Sequence, residues 1–351
     1  MTTKCVIKKF KYTVNDVCLP REGSIFYAAD IDGTLHRRSI GDKKISDQYA
    51  LHEESIRCLA LTRDERGVIT GSSDRQIACF DGVKNTVSWS MKDAHKDCVN
   101  CIFRVEGTLA SADDSGTLKL WDLRTHKSTF ENVNMCKDYV SAMTIIETKP
   151  EELLIASGDG TLTAFDLRTR KILVRSDDQE DELLSLEVIK NGKKVIAGTQ
   201  EGPILVFSSG SWRDQSDRFP GHPHSVSALA KVDESTVLTG SSDGIIRLVS
   251  VQPNRLLGAI GDHDDYPIER LCVSYDKCTL ASCSHDNTVK LWDIGYFWDE
   301  DEAEEEKEDE TSNNKKRERV SSTKFESNKK RKAPKKFTKK TGKNSDFFDD
   351  L

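Results

Sequence analysis

The stretch LASCSHDNTVKLWD, residues 280–293, decides the fold, because it is one copy of a pattern that recurs along the chain. Each copy has a short apolar strand, a polar turn and a second, alternating strand. The other copies read FYAADIDGTLHRRS, VITGSSDRQIACFD, LASADDSGTLKLWD, LIASGDGTLTAFD, VIAGTQEGPILVFS and VLTGSSDGIIRLVS. Their equivalent turn positions, 41 to 44 residues apart, are Asp32, Asp74, Ser115, Asp159, Glu201, Asp243 and Asp286.

This period identifies the kind of repeat. A spacing of about 40–45 residues with a Trp-Asp ending is the signature of the four-stranded blades of a WD-repeat β-propeller. The alternation of apolar and polar residues in TVKLWD is typical of a strand whose two faces differ in environment. Seven copies predict an all-β, seven-bladed propeller over residues 1–298. We expect the N-terminal strand, around Cys5–Phe10, to complete the last blade and close the ring.

Composition narrows the class of protein. Of the 351 residues, 36% are hydrophobic and 32% are charged, which indicates a folded part with a polar tail. The sequence has no run of 18 apolar residues and no long apolar stretch near its start, so we expect neither a membrane span nor a secretion signal. The ten cysteines are scattered through strand-like sequence, which indicates a protein of a reducing compartment rather than one held by a disulfide framework.

The C-terminal part is segregated by charge. Asp299–Glu310 contains ten acidic residues, and residues 311–344 contain fourteen Lys or Arg against two Glu. We expect both segments to be disordered. Two basic clusters separated by eleven residues predict a bipartite nuclear import signal. The alternative is a run of charges that is simply solvated. The import residues are Lys315, Lys316, Arg317, Lys329, Lys330, Arg331 and Lys332.

The basic segment predicts an import receptor as a partner. It is also long enough to contact the phosphates of RNA without reading bases. The chain then ends in an aromatic and acidic stretch, residues 345–351. Here Phe347, Phe348 and Leu351 lie among aspartates. We interpret these three residues either as a short docking motif or as a frayed end.

The opening stretch also raises the question of catalysis. Resemblance to WD-repeat proteins implies that His263, Ser282, Asp286 and Trp292 join in one hydrogen-bonded chain. Parts of the same set recur in other copies, whereas a catalytic site would occur once. The partial sets are His52 with Thr70 and Asp74, His95 with Ser111 and Trp121 but with Ser115 at the Asp position, and His222 with Thr239 and Asp243. We therefore predict a structural role, no catalytic residue, no cofactor and no enzyme.

The stretch HKDCVNC, residues 95–101, resembles a zinc-binding sequence. On a strand, Cys98 and Cys101 would point to opposite faces, so both could not easily bind one metal. Cys101 also aligns with Cys58, Ala142 and Ala228, which suggests a position for small, buried side chains. We predict core packing and no metal.

Two adjacent repeats share the sequences WDLR and FDLR, at residues 121–124 and 165–168. One interpretation is a turn in which Asp accepts hydrogen bonds and Arg is solvated. The other is a resemblance to the WDxR box of substrate receptors for cullin-RING ubiquitin ligases. In that case the residues facing the ligase adaptor are Asp122, Arg124, Asp166 and Arg168.

Residues 216–294, with SDRFPGHPHSVSAL and LASCSHDNTVKLWDI, resemble the WD repeat-containing protein 55 family, and residues 153–212 and the terminal DFFDDL extend the likeness. The ending LHRRS in the first copy departs from the usual aromatic ending. The resemblance implies a nucleolar protein, with a nuclear and some cytoplasmic population. It implies a monomeric, non-enzymatic scaffold that contacts proteins of pre-ribosomal complexes and supports ribosomal RNA production and processing and large-subunit assembly. The alternative is a cullin-RING substrate receptor.

Overall fold

The structure is a computed structural model that describes residues 4–21, 23–41 and 45–297. Within these ranges the chain forms seven four-stranded antiparallel sheets, which are the blades of a β-propeller. The predicted fold class is confirmed. No helix of the described part has the length and apolarity needed to cross a membrane. A compact unit ends at Gly295, and the predicted boundary at residue 298 stays a prediction. The acidic tract, the import signal and the terminal motif lie outside the described residues.

The strands follow one another blade by blade. The N-terminal strand, β1 (Cys5–Lys9), belongs to the seventh blade. Blades 1 to 3 contain β2 (Val14–Cys18), β3 (Ile25–Asp30), β4 (Thr34–Ser39) and β5 (Ser46–Ala50); β6 (Ile56–Leu61), β7 (Gly67–Ser72), β8 (Ile77–Asp81) and β9 (Thr86–Met91); and β10 (Val99–Val105), β11 (Thr108–Asp113), β12 (Leu118–Asp122) and β13 (Lys127–Asn132).

Blades 4 to 7 repeat the pattern. They contain β14 (Val140–Ile146), β15 (Lys149–Ser157), β16 (Leu162–Asp166) and β17 (Lys171–Arg175); β18 (Leu183–Ile189), β19 (Lys194–Thr199), β20 (Ile204–Ser208) and β21 (Asp217–Phe219); β22 (Val226–Lys231), β23 (Thr236–Ser241), β24 (Ile245–Ser250) and β25 (Arg255–Asp262); and β26 (Ile268–Val273), β27 (Thr279–Ser284) and β28 (Thr288–Asp293), to which β1 is added.

The antiparallel order gives the ring two different faces. The first strand of each blade is innermost, and neighbouring innermost strands lie side by side around the axis. Connections between blades and the turns between second and third strands lie on one side, which we call the loop face. Turns between first and second strands and between third and fourth strands lie on the other side, which we call the turn face.

The ring is closed by the N-terminal strand. β1 pairs with β28 in a continuous antiparallel register from Cys5 opposite Trp292 to Lys9 opposite Thr288. The segment is also bound to blade 1, because the guanidinium of Arg38 donates to the carbonyl oxygen of Lys9 at 2.7 Å and lies 3.9 Å from the centre of the Phe10 ring. The first residues of the described chain therefore connect its last blade to its first.

The four residues predicted from the last repeat form one hydrogen-bonded chain in blade 7. Trp292 Nε1 donates to Ser282 Oγ at 2.9 Å, Ser282 Oγ lies 2.7 Å from His263 Nε2, and His263 Nδ1 lies 2.8 Å from Asp286 Oδ2. Burial lowers the pKa of His263, which keeps its ring neutral at pH 7. A neutral ring that donates from Nδ1 to Asp286 accepts the serine hydroxyl at Nε2.

Blade 3 has the same chain with a different carboxylate. His95 Nε2 lies 2.6 Å from Ser111 Oγ, which also accepts the indole N–H of Trp121 at 2.7 Å. His95 Nδ1 binds Asp113 at 2.9 Å. Asp113 thus takes the role that alignment gave to position 115. Because both ring nitrogens of His95 are engaged, this histidine is not available to a metal. The described residues contain no cluster of three metal-binding side chains.

Blade 6 departs furthest from the predicted pattern. The two guanidinium nitrogens of Arg247 bind Asp243 at 3.0 and 2.6 Å, so that Asp243 is taken from His222. His222 keeps its contact with Thr239 at 2.8 Å, but its buried Nδ1 has no partner among the described residues. Burial lowers the pKa of His222 to about 4. The imidazole is therefore a neutral structural group.

Substitution of Ser282 by alanine tests the structural role of the chain in blade 7. The change leaves both Trp292 Nε1 and His263 Nε2 buried without a partner. We expect the free energy of unfolding to fall by about 3 kcal/mol, since each orphaned group costs about 1–3 kcal/mol. Urea denaturation measures it. Ser90→Ala, on the exposed outer strand of blade 2, is the matched control. An equal, small effect of both changes would contradict this role.

Deletion of residues 1–9 tests the closure of the ring. The deletion removes the whole β1–β28 ladder and exposes the edge of β28, which then becomes available to other chains. We expect a loss of about 4 kcal/mol, which lowers the melting temperature by about 10 °C, and a new dimer in size-exclusion chromatography. Deletion of residues 1–3 alone is the control. A melting curve unchanged by the longer deletion would show that closure does not depend on β1.

Candidate functional site: the channel mouth

Every innermost strand carries a β-bulge directly after its first residue. In blade 1, for example, Val14 and Asp16 are paired with successive residues of β3, and Asn15 between them is skipped. The same shift occurs in β6, β10, β14, β18, β22 and β26. Bulges redirect side chains and are frequent beside functional sites. One residue per blade is thereby taken out of the ladder.

The skipped residues surround the opening of the central channel on the loop face, which we call the channel mouth. It encloses a cavity of about 250 Å³. All seven skipped residues line the cavity and are half-buried: Asn15, Arg57, Asn100, Ser141, Leu184, Ser227 and Glu269. The rest of the lining includes Asp16, Tyr139, Gln200 and Arg270. The mouth is therefore mostly polar, with charges of both signs.

Side chains at the mouth join several neighbouring blades. Asn15 Nδ2 donates to the carbonyl oxygen of Ile56 at 2.9 Å, and Asn100 Nδ2 donates to that of Val140 at 2.9 Å. Ser141 Oγ donates in the same way to Leu183. In each case the acceptor is the first residue of the next innermost strand. Buried carbonyl groups that would lack a partner are thus satisfied across the blade boundary.

Charged pairs make two further connections. Arg57 binds Asp114 of blade 3 at 2.7 Å, with both side chains about one-third exposed. Arg270 of blade 7 lies 3.3 Å from Asp16 of blade 1, and the other oxygen of Asp16 accepts the N–H of Leu59 at 2.7 Å. Burial raises the pKa of Asp16, and the neighbouring guanidinium opposes this rise. The pair closes the ring at the mouth as β1 closes it at the rim.

Sequence reasoning missed the channel mouth, although a signal was present. The innermost strands begin VND, IRC, VNC, VSA, LLS, VSA and IER, so that a polar residue follows the first apolar one in six of seven copies. The alignment of Cys58 and Cys101 with Ala142 and Ala228 concerned the next position, where these four side chains are buried. Burial raises the pKa of both thiols, which makes them poor nucleophiles. Cys98 precedes β10 and is half-buried.

The WDLR and FDLR sequences form equivalent turns on the turn face of blades 3 and 4. Asp122 Oδ1 accepts the backbone N–H of Arg124 at 2.8 Å, and Asp166 Oδ1 accepts that of Arg168 at 2.7 Å. The backbone N–H of Arg124 lowers the pKa of Asp122, and the backbone N–H groups of Thr169 and Arg168 lower the pKa of Asp166. The side chain of Arg124 is 84% exposed, and Arg168 is also exposed. The arginines are accessible and the aspartates are occupied by the turns.

A third turn shows that the aspartate of the WDLR and FDLR sequences has a structural role without the arginine. In blade 2, Asp81 Oδ1 accepts the backbone N–H groups of Val83 at 2.9 Å and Lys84 at 3.0 Å, although no arginine follows it. Aspartate at this position is therefore explained by turn geometry alone. Adaptor contact by Asp122, Arg124, Asp166 and Arg168 stays a prediction, and the exposed arginines are the more accessible members of the set.

Comparison with known proteins agrees with the fold. The WDR55 family model matches residues 7–297. The chain is 42% identical over 269 residues to WD repeat-containing protein 55 of Arabidopsis thaliana, covering 75% of each chain. It is 33% identical over 300 residues to WD repeat-containing protein 55 of Homo sapiens, covering 82% of this chain and 78% of that protein.

A third relative gives the same result. The chain is 32% identical over 280 residues to the WD repeat-containing protein 55 homolog of Dictyostelium discoideum, covering 79% of this chain and 68% of the relative. The family model matches nearly the whole propeller, from β1 to the residues that follow β28. The chain therefore belongs to the WDR55 family.

Proposed function

We propose that this protein is a non-enzymatic scaffold of ribosome biogenesis in the nucleolus. In this proposal the propeller binds proteins of pre-ribosomal complexes and supports ribosomal RNA production, processing and large-subunit assembly. The segment 311–344 adds binding to an import receptor and non-specific contact with RNA. The main support is membership of the WDR55 family together with the resemblance of residues 153–294 described above.

The chemistry of the described residues supports a binding role. His52, His95 and His263 each contact a carboxylate and a hydroxyl, and these contacts hold their blades together. No polar group in these three sets is left over for proton transfer to a substrate. A ring of this kind acts by presenting a fixed surface to other molecules.

The channel mouth is the surface that we propose for protein contact. Four of its seven skipped residues, Asn15, Arg57, Asn100 and Ser141, are held in place by bonds to the next blade, so on that side a partner meets preorganised groups and loses less conformational freedom on binding. Leu184 is the one apolar member of that ring. An apolar group surrounded by polar ones is typical of the centre of an interface.

Purification of a tagged full-length chain tests this function. We expect pre-ribosomal proteins that remain after RNase treatment, precursor ribosomal RNA without it, and nucleolar signal when the same chain is imaged. Leu184→Arg should abolish recovery of the proteins, because it introduces a charge at the centre of the mouth. Val83→Arg, at a 65% exposed position on the turn face, is the control. Diffuse cytoplasmic signal, or equal recovery with both variants, would overturn the proposal.

A second candidate function is that of a cullin-RING substrate receptor. The observation that favours it is the exposure of Arg124 and Arg168 at equivalent turns of adjacent blades.

Charge reversal of both arginines to glutamate tests this candidate. We expect it to abolish recovery of a cullin adaptor if the turns dock there, because two favourable charges become repulsive. The control reverses Lys84 and Lys127, which are exposed near the corresponding turns. Absence of an adaptor from purifications of the unaltered chain would exclude the candidate.

A further inference from the structure

A second cavity lies at the other end of the inner strands, on the turn face. We call it the turn cavity. It has a volume of about 480 Å³, within the range of about 300–1,000 Å³ that ligand sites occupy. Blades 3 to 6 line it with the ends of β10, β14, β18 and β22 and with the turns that follow. Apolar walls are supplied by Phe103, Ile145 and Val188.

An acidic residue, Glu187, lines the turn cavity at a position that is apolar in several other blades. It lies on β18, where the equivalent residues of other blades include Ala60, Phe103 and Ala230. One carboxylate oxygen accepts the N–H of Val188 at 2.9 Å. Among the described residues, Glu187 forms no ion pair. Burial raises the pKa of its carboxyl to about 6, so at pH 7 a charge is held there against the cost of desolvation.

The nearest cation is already engaged. Lys231 Nζ lies 2.5 Å from a carboxylate oxygen of Glu234, and Glu234 also accepts the backbone N–H of Asn191. Glu147 adds an exposed carboxylate at the rim. The turn cavity thus contains three carboxylates against one paired ammonium. Phosphates and carboxylates are excluded as ligands, and a cation is favoured.

Among cations, the lining favours an arginine side chain. The apolar walls suit its methylene stem, and a guanidinium loses hydration more easily than an ammonium and packs on an aromatic face such as that of Phe103. A planar guanidinium also matches carboxylate geometry. We propose that the turn cavity binds an arginine side chain of a basic protein segment, with Glu187 as its counter-ion. The proposal deepens the proposed function, because it takes the occupant to be protein.

Binding should depend on pH in a direction set by Glu187. Its carboxylate is ionised above about pH 6 and becomes neutral below, so affinity should be greatest at pH 7–8 and should fall by up to about tenfold towards pH 5. The neighbouring Asp16 raises the pKa of Arg270, which therefore stays charged over this range and does not produce the change. Glu234, whose pKa is lowered by its hydrogen bonds, also stays ionised.

The experiment measures binding of a fluorescent peptide of alternating glycine and arginine to the purified full-length chain. We expect Glu187→Gln to weaken binding about tenfold at pH 7.5 and to remove its pH dependence. A peptide with citrulline, the neutral isostere of arginine, should bind as weakly to the unaltered chain. Glu106→Gln is the control, because it removes the same charge from the exposed turn after β10 in blade 3, outside the lining of the turn cavity.

A gain of affinity separates the site from an effect on folding. Lys231→Gln removes the competing ammonium and releases Glu234, so we expect the arginine peptide to bind a few times more tightly. A misfolded variant would not produce this gain. Equal effects of Glu187→Gln and Glu106→Gln, or weaker binding by Lys231→Gln, would overturn the proposal. The result is independent of cellular purification, so failure here and failure of the scaffold role are distinguishable.

A last variant identifies the source of the arginine. Residues 311–344 contain Arg317, Arg319 and Arg331. If these residues occupy the turn cavity, their replacement by glutamine in the full chain should tighten binding of the added peptide, because a tethered competitor is lost. Unchanged binding would assign the occupant to another protein.

Discussion

The structure depends on a contact between neighbouring innermost strands. Each of these strands skips one residue soon after it begins, and in blades 1, 3 and 4 that side chain donates to the first carbonyl group of the next strand. Ser185 makes the corresponding bond to Val226 from the following position. Apolar packing between blades has no direction, whereas these bonds do. They fix the angular position of each sheet, and so they fix the surface that the mouth presents.

The buried histidines keep the same structural role with different hydrogen-bond partners. In blade 7 the carboxylate lies in the turn, in blade 3 it precedes the turn, and in blade 1 His36 binds Asp30 at 2.7 Å within a single hairpin. What stays constant is an imidazole whose polar atoms mostly have partners. In blade 6 Arg247 takes the aspartate, and the buried Nδ1 atoms of His222 and His36 both lack a partner among the described residues. A reacting group requires one geometry, whereas a structural group needs only satisfied partners.

The repeat period was enough to predict the seven blades, because turn spacing and strand alternation are local properties of the sequence. The last hydrogen-bonded chain was predicted from the resemblance to WD-repeat proteins. Alignment failed at Ser115 and Asp243, since the partner of a histidine depends on which carboxylate the folded turn brings near it. The bulges were not predicted, because they depend on how neighbouring strands pair. Glu187 could not be singled out at all: only the ring shows that its neighbours come from four blades.

The seventh blade has a consequence for the order of synthesis. Its outer strand is made first and the strand that it pairs with is made last, with the whole ring between them. At a translation rate of about 5–20 residues per second, Cys5–Lys9 waits roughly 15–60 s for its partner. During that interval β1 has no partner strand, and so a chaperone has a defined segment to shield until the final blade emerges.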